Sequence, residues 1–137
     1  MPQSPYLLPF DSIGSVAEGF ITTTQHHERL PFAVKRVFWT HATPPEVIRG
    51  RHALKATEEI LIALSGRIGV KAETGEKVEK FELKDAQQGL YIPAMCWTEL
   101  TFSAGAIGLC LASTDFNEAD YILDYQYFRR LSAHQAL

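Results

Sequence analysis

The sequence predicts a mostly β fold, a sandwich or barrel of short strands finished by a C-terminal helix. Two observations carry this. Between Val34 and Ser113 the chain is a succession of short apolar or alternating runs separated by Gly, Pro or charged turns, which is strand patterning. After Thr114 the period lengthens: Tyr121, Tyr125 and Phe128 recur at helical spacing through Phe128-Arg129-Arg130-Leu131, with Asp115 or Asn117 as the cap. A chain of 137 residues has room for one domain, residues 1–137, and one site.

The first run is Val34 to Thr40, where residues two apart share a face, so Arg36 and Phe38 lie opposite Val37 and Trp39. In Arg51 to Lys55, His52 and Leu54 share one face, and Arg51, Ala53 and Lys55 the other. Glu59 to Leu64, Ile68 to Glu73 and Val78 to Leu83 follow, joined by Ser65-Gly66-Arg67 and Thr74-Gly75-Glu76. These read as hairpin turns because Gly supplies the positive φ they need. Gly89 to Ile92, Thr98 to Phe102 and Ala106 to Ala112 complete eight antiparallel strands. A His beside a Leu on one face implies that the core opens into a pocket at that end. The aromatic stripe of the helix predicts packing onto the sheet or onto a second subunit.

Composition narrows the function. With 46% hydrophobic and 21% charged residues the chain can bury a core. A net charge of -3 provides no broad cationic surface, so no nucleic-acid partner is expected, although two aimed arginines can still hold a small phosphorylated ligand. No run nears the roughly 20 apolar residues that cross a bilayer, and MPQSPYLLPF lacks the marks of a secretion signal. No membrane partner is expected, and a cytoplasmic location is. Cys96 and Cys110 lack metal-ligand or CxxC spacing and read as buried thiols. His41 and the pair His26-His27 fit loops or strand ends without zinc spacing.

From Gly50 to Gly66 the chain runs Gly50-Arg51-His52-Ala53-Leu54, then Glu59, then Gly66. It resembles the first cupin motif, a glycine, HxH, a Glu and a closing glycine, with Leu54 at the second His. Gly89-Leu90-Tyr91-Ile92-Pro93-Ala94-Met95-Cys96-Trp97-Thr98 resembles the second motif, with Thr98 at its His. Of four cupin ligands, only His52 and Glu59 remain. A transition metal takes several donors converging at about 2.0–2.3 Å, so no metal is expected.

The resemblance extends to the sugar 3,4-ketoisomerase family of cupins, which act on dTDP-4-keto-6-deoxyglucose. Its stretches are Pro31-Phe32-Ala33-Val34-Lys35-Arg36-Val37-Phe38, Arg49-Gly50-Arg51-His52-Ala53, Gly89-Leu90-Tyr91-Ile92-Pro93, Leu111-Ala112-Ser113, Asp120-Tyr121-Ile122 and Tyr125, in collinear order. The resemblance implies an all-β cupin jelly roll (double-stranded β-helix) with a C-terminal helix. It further implies a homodimer, often exchanging N-terminal strands, that takes a dTDP-linked keto sugar and needs no metal or other cofactor. The implied reaction moves the carbonyl from C4 to C3 through an enediol or enediolate, which requires a base near the C3 proton and donors for the oxyanion.

Carried over residue by residue, the resemblance makes His52 the base or proton shuttle and Tyr91 a phenolic donor in the cup. Arg36 and Arg49 become contacts to pyrophosphate or sugar oxygens. Trp97 or Phe38 gives an apolar wall to the sugar or thymine ring. Glu59, counted with the substrate-binding residues, reads as a buried or rim carboxylate paired with a nearby Arg or Lys ahead of a catalytic group. The chain departs from the family pattern at Leu54, Thr98 and Ile13, the last standing for Arg in Asp11-Ser12-Ile13-Gly14. Two readings follow: an isomerase in which His52 alone shuttles the proton, or a catalytically silent cupin binding a sugar nucleotide or carbohydrate as a regulatory or partner protein. The retained Arg36, Arg49, His52 and GLYIP segment favour the isomerase.

Overall fold

The computed structural model describes residues 3–25, 30–75 and 77–136; His26, His27 and Glu76 lie outside the described residues. In chain order the strands are β1 (Tyr6–Pro9), β2 (Asp11–Ser15), β3 (Gly19–Thr23), β4 (Arg36–Thr40), β5 (Arg49–Leu54) and β6 (Glu59–Ser65). They continue as β7 (Ile68–Thr74), β8 (Lys77–Leu83), β9 (Gln88–Ile92), β10 (Trp97–Phe102), β11 (Ile107–Ala112) and β12 (Tyr121–Ile122), followed by helix α1 (Tyr125–Ala136). Two five-stranded antiparallel sheets, ordered β1-β9-β6-β11-β4 and β12-β5-β10-β7-β8, form the jelly roll, and β2-β3 is a separate hairpin. All eight expected strands are present. Strands β1 to β3 and β12 were not expected: the hairpin leaves Ile13, Phe20 and Ile21 exposed and so lacks a buried alternation to detect.

Inward-facing residues of both sheets interdigitate in one core. Leu61, Ala63, Leu90 and Ile92 come from the first sheet, and Ile68, Val70, Ala72, Leu83 and Phe102 from the second. At the other end of the same inner space the lining becomes polar.

The outer face of the second sheet is covered by α1. Phe128, fully buried, packs with Ala53, Trp97 and Ile122, and such burial is worth roughly 1.5–3 kcal/mol. The helix starts later than expected, because Tyr121 belongs to β12 and Asp124 is the cap: its Oδ1 accepts from the Gln126 and Tyr127 amides at 2.8 and 3.2 Å. Asn117 instead caps a short 3-10 turn, accepting from the Ala119 amide. Glu73, only 6% exposed, accepts from the Tyr125 hydroxyl at 2.8 and 3.0 Å and from Arg129 at 2.9 Å. A buried carboxylate is tolerated when it is partnered in this way, and it ties α1 to β7.

One irregularity positions the site. On β10, Thr98 pairs with His52 and the next residue, Glu99, pairs with Gly50, so Arg51 is an extra residue in β5. Gly50 and Arg51 take φ of 80° and 55°, the left-handed backbone of a β-bulge. Gly50 is required there, since a Cβ would lie 2.8 Å from the Thr98 carbonyl oxygen. Gly50→Ala is expected to destabilise the fold by at least about 1–2 kcal/mol, measured as a lower midpoint in urea unfolding at unchanged slope.

Candidate active site

The polar end of the sandwich is a cavity of about 350 Å³, walled on one side by β4, β6, β9 and β11 and on the other by β5, β10 and β12. Phe38, Arg49, His52, Glu59 and Thr98 line it. Leu61, Ile92 and Leu100 supply apolar wall. The expected pairing of Arg36 with Phe38 on the inner face of β4 holds, because the register sets Phe38 opposite Cys110 and Arg36 opposite Ala112.

Arg49 and His52 are three residues apart, and uninterrupted alternation sends such residues to opposite faces. The bulge at Gly50-Arg51 resets the parity, so that both line the cavity. His52 Nδ1 lies 3.1 Å from the Gly50 carbonyl oxygen. A carbonyl only accepts, so the neutral ring carries its hydrogen on Nδ1 and leaves the Nε2 lone pair available. Tyr121 meets the imidazole edge-on, ring centroids 5.1 Å apart. Burial lowers the His52 pKa from its ordinary value; the Gly50 hydrogen bond opposes this and the Arg49 charge reinforces it. The lowered pKa favours the neutral imidazole.

Arg36 stacks its guanidinium over Phe38 at 4.9 Å and over Phe116 at 5.5 Å. Its Nε is buried and has no hydrogen-bond partner among the described residues. Arg36 is not itself among the cavity-lining residues; it adjoins the cavity through Phe38, which is. Glu59 receives the Cys110 thiol at 3.4 Å. Burial raises its carboxyl pKa, against the Cys110 hydrogen bond and the Arg36 charge, while Asp120 adds to the rise.

Tyr91 and Trp97 are placed differently from expectation. Tyr91 lies on the outer face of its sheet with Leu8, Phe10, Ile60, Ile62 and Leu111, and its hydroxyl donates to Glu58 at 2.5 Å and contacts Gln3. Ile92 lines the cavity, so its neighbour in an extended strand must face away. Trp97 is turned out by the same rule, because Thr98 faces in. It packs under α1 against Tyr125 and Phe128, with centroids 5.2 and 5.6 Å apart. Neither ring reaches the cup. Leu54 is buried beyond the lining, its carbonyl accepting from the Met95 amide at 2.7 Å.

Thr40, Cys110, Tyr121 and Leu123 also line the cavity and were not anticipated. Thr40 was accessible by extending the Arg36–Phe38 alternation. Cys96 and Cys110 are free and buried, and burial pushes the Cys96 thiol up to about 12. Among the described residues, no three of His, Cys, Asp and Glu converge as a metal-ligand set.

The WxcM-like, C-terminal family (FdtA) matches residues 5–133. The TDP-4-oxo-6-deoxy-α-D-glucose-3,4-oxoisomerase of Aneurinibacillus thermoaerophilus is 31% identical over 118 residues, covering 85% of each chain. The chain belongs to this family of sugar 3,4-ketoisomerases. Solved ketoisomerases superimpose closely on it. QdtA from Thermoanaerobacterium thermosaccharolyticum, in complex with TDP, is 28% identical with a TM-score of 0.90 over 97% of both chains. A His-to-Asn variant of QdtA has been solved with TDP-4-keto-6-deoxyglucose. WlaRA, the TDP-fucose-3,4-ketoisomerase of Campylobacter jejuni, is 32% identical with a TM-score of 0.89, over 98% of this chain and 100% of its own.

The lowered His52 pKa has a definite sign. Between 6.5 and the folded-state midpoint the unfolded chain binds more protons than the folded one, so stability falls as pH drops through that window. NMR titration of His52 is expected to give a midpoint below 6.5, and Arg49→Ala, by removing a cation, to raise it.

Proposed function

We propose that this protein is a sugar-nucleotide 3,4-ketoisomerase, converting a dTDP-4-keto-6-deoxyhexose to its 3-keto isomer through an enediol or enediolate. The observation that carries this is the convergence of a neutral imidazole, with Nε2 unengaged, and Arg49 in one cavity of a ketoisomerase-family chain. In the proposed mechanism His52 Nε2 takes the C3 proton, and the electron pair passes into the C3–C4 bond as negative charge develops on O4. Once the hydroxyl proton of O3 has been exchanged for one on O4, the pair left on O3 becomes the C3 carbonyl and the imidazolium gives its proton to C4. One base serves both carbons because they are adjacent, which makes a second histidine at Leu54 dispensable.

Arg49 stabilises the developing oxyanion from beside His52, where the low-dielectric wall strengthens its field. Arg36, beside the cavity, binds diphosphate or sugar oxygens through its guanidinium, and Phe38 carries the apolar face of the ligand against the cup. Glu59 fixes the sugar hydroxyls by hydrogen bonding. The bound TDP and TDP-keto sugar of QdtA support this ligand class.

The reading includes a cytoplasmic homodimer. An apolar strip supports the dimer: Val37 and Trp39 lie opposite Leu111 and Leu109 on the outer face of the first sheet, and Trp39 is 61% exposed. Two free cysteines fit a reducing compartment.

Proton NMR of the protein with TDP-4-keto-6-deoxyglucose in D₂O is expected to show the 3-keto product, with deuterium entering at C3 or C4. Binding without turnover or exchange would overturn the isomerase reading. His52→Asn is expected to lower turnover by about 10²- to 10⁴-fold while sparing binding. Arg36→Ala and Arg49→Ala should each weaken binding of the TDP-linked keto sugar in calorimetry by about 1.5–3 kcal/mol.

A further inference from the structure

The reaction relocates two hydrogens, and His52 accounts for one. Moving the carbonyl from C4 to C3 takes a hydrogen from C3 to C4 and another from O3 to O4. While the enediol exists, Nε2 of His52 holds the carbon-derived proton and Nδ1 is engaged with the Gly50 carbonyl, so the ring has no site left for an oxygen-borne proton. Leu54 has none to give. Thr98, the inward residue paired with His52, carries an aliphatic hydroxyl that does not ionise in the working range.

Glu59 is the one carboxyl among the described lining residues. It is the first residue of β6, in register with Ile92 on β9 and Ala112 on β11, and so faces the cavity from the sheet opposed to β5. The Cys110 thiol donates to its Oε2, and among the described residues none is hydrogen-bonded to Oε1, which a ligand can take. Burial holds the carboxyl above its ordinary range, which favours the protonated form such a role needs.

Resting on the ketoisomerase reading, we propose that Glu59 is the oxygen-proton shuttle, giving its carboxyl proton to O4 as His52 removes the C3 proton and taking the O3 proton as His52 reprotonates C4. In the first half the C3–H bond breaks, its electron pair forms the C3–C4 double bond, and the former carbonyl π pair takes the Glu59 proton at O4. In the second half the O3–H pair becomes the new C3 carbonyl and the double-bond pair takes the proton from His52 at C4. The imidazole ends neutral and the carboxyl protonated, as they began, with no net oxidation.

The isosteric variant Glu59→Gln keeps size and hydrogen bonding but cannot exchange a proton. With TDP-4-keto-6-deoxyglucose followed by NMR, kcat is expected to fall by about 10²-fold or more, with the TDP dissociation constant within about twofold of wild type. Glu59→Asp, which retains the carboxyl, is expected to recover at least about tenfold of that loss. A Glu59→Gln protein with kcat within about threefold of wild type overturns the shuttle and leaves the ketoisomerase reading standing. Loss of TDP binding in both variants overturns it too, by making Glu59 structural. Wild-type protein without turnover overturns both readings.

Discussion

The site depends on a single break in strand alternation. Arg49 and His52 share a cavity because β5 carries one residue more than the stretch of β10 it pairs with, and the surplus is accommodated by left-handed backbone at Gly50 and Arg51. The same turn brings the Gly50 carbonyl to Nδ1 of His52, so one local distortion sets the direction of the imidazole, its tautomer and its cationic neighbour. Backbone strain of this kind persists only where surrounding structure holds it. Here the ladder to β10 does so, pairing His52 on one side of the surplus residue and Gly50 and Arg49 on the other.

The sandwich interior is divided lengthwise between two uses. Where Leu61, Val70, Leu90 and Phe102 meet, it is a packed apolar core. Where Phe38, His52 and Glu59 face inward, the polar groups have partial partners: a carbonyl for His52, a thiol for Glu59, aromatic faces for Arg36. Each partner orients its group without consuming all of its hydrogen-bonding capacity. The unmet remainder, most plainly the Nε2 lone pair of His52, is what a ligand would complete.

Much of this was legible in the residues. Period-two alternation located eight strands and put Arg36 with Phe38, because those runs are regular and half buried. It missed β1, β2 and β3, whose side chains are largely exposed, and it read Tyr121 as helical because three aromatics happened to fall at helical spacing across a strand and a cap. Arg49 was selected by resemblance while simple parity argued against it, since a bulge leaves no trace in a hydrophobic pattern beyond a glycine. Tyr91 and Trp97 show the reverse case. Each adjoins an inward residue, Ile92 and Thr98, and alternation alone turns both outward.

Strand β12 carries a consequence for the growing chain. It closes the open edge of β5, and Asp120 beside it accepts from the Lys55 amide through its carbonyl and from the Ala56 amide and Thr57 hydroxyl through its carboxylate, at 2.9, 2.8 and 2.5 Å. Asp120 follows Ala56 by 64 residues, a separation that takes several seconds to translate at about 5–20 residues per second. Until then the histidine strand lacks its outer neighbour. The site is therefore completed only when this segment arrives, after every other strand of the two core sheets has been made.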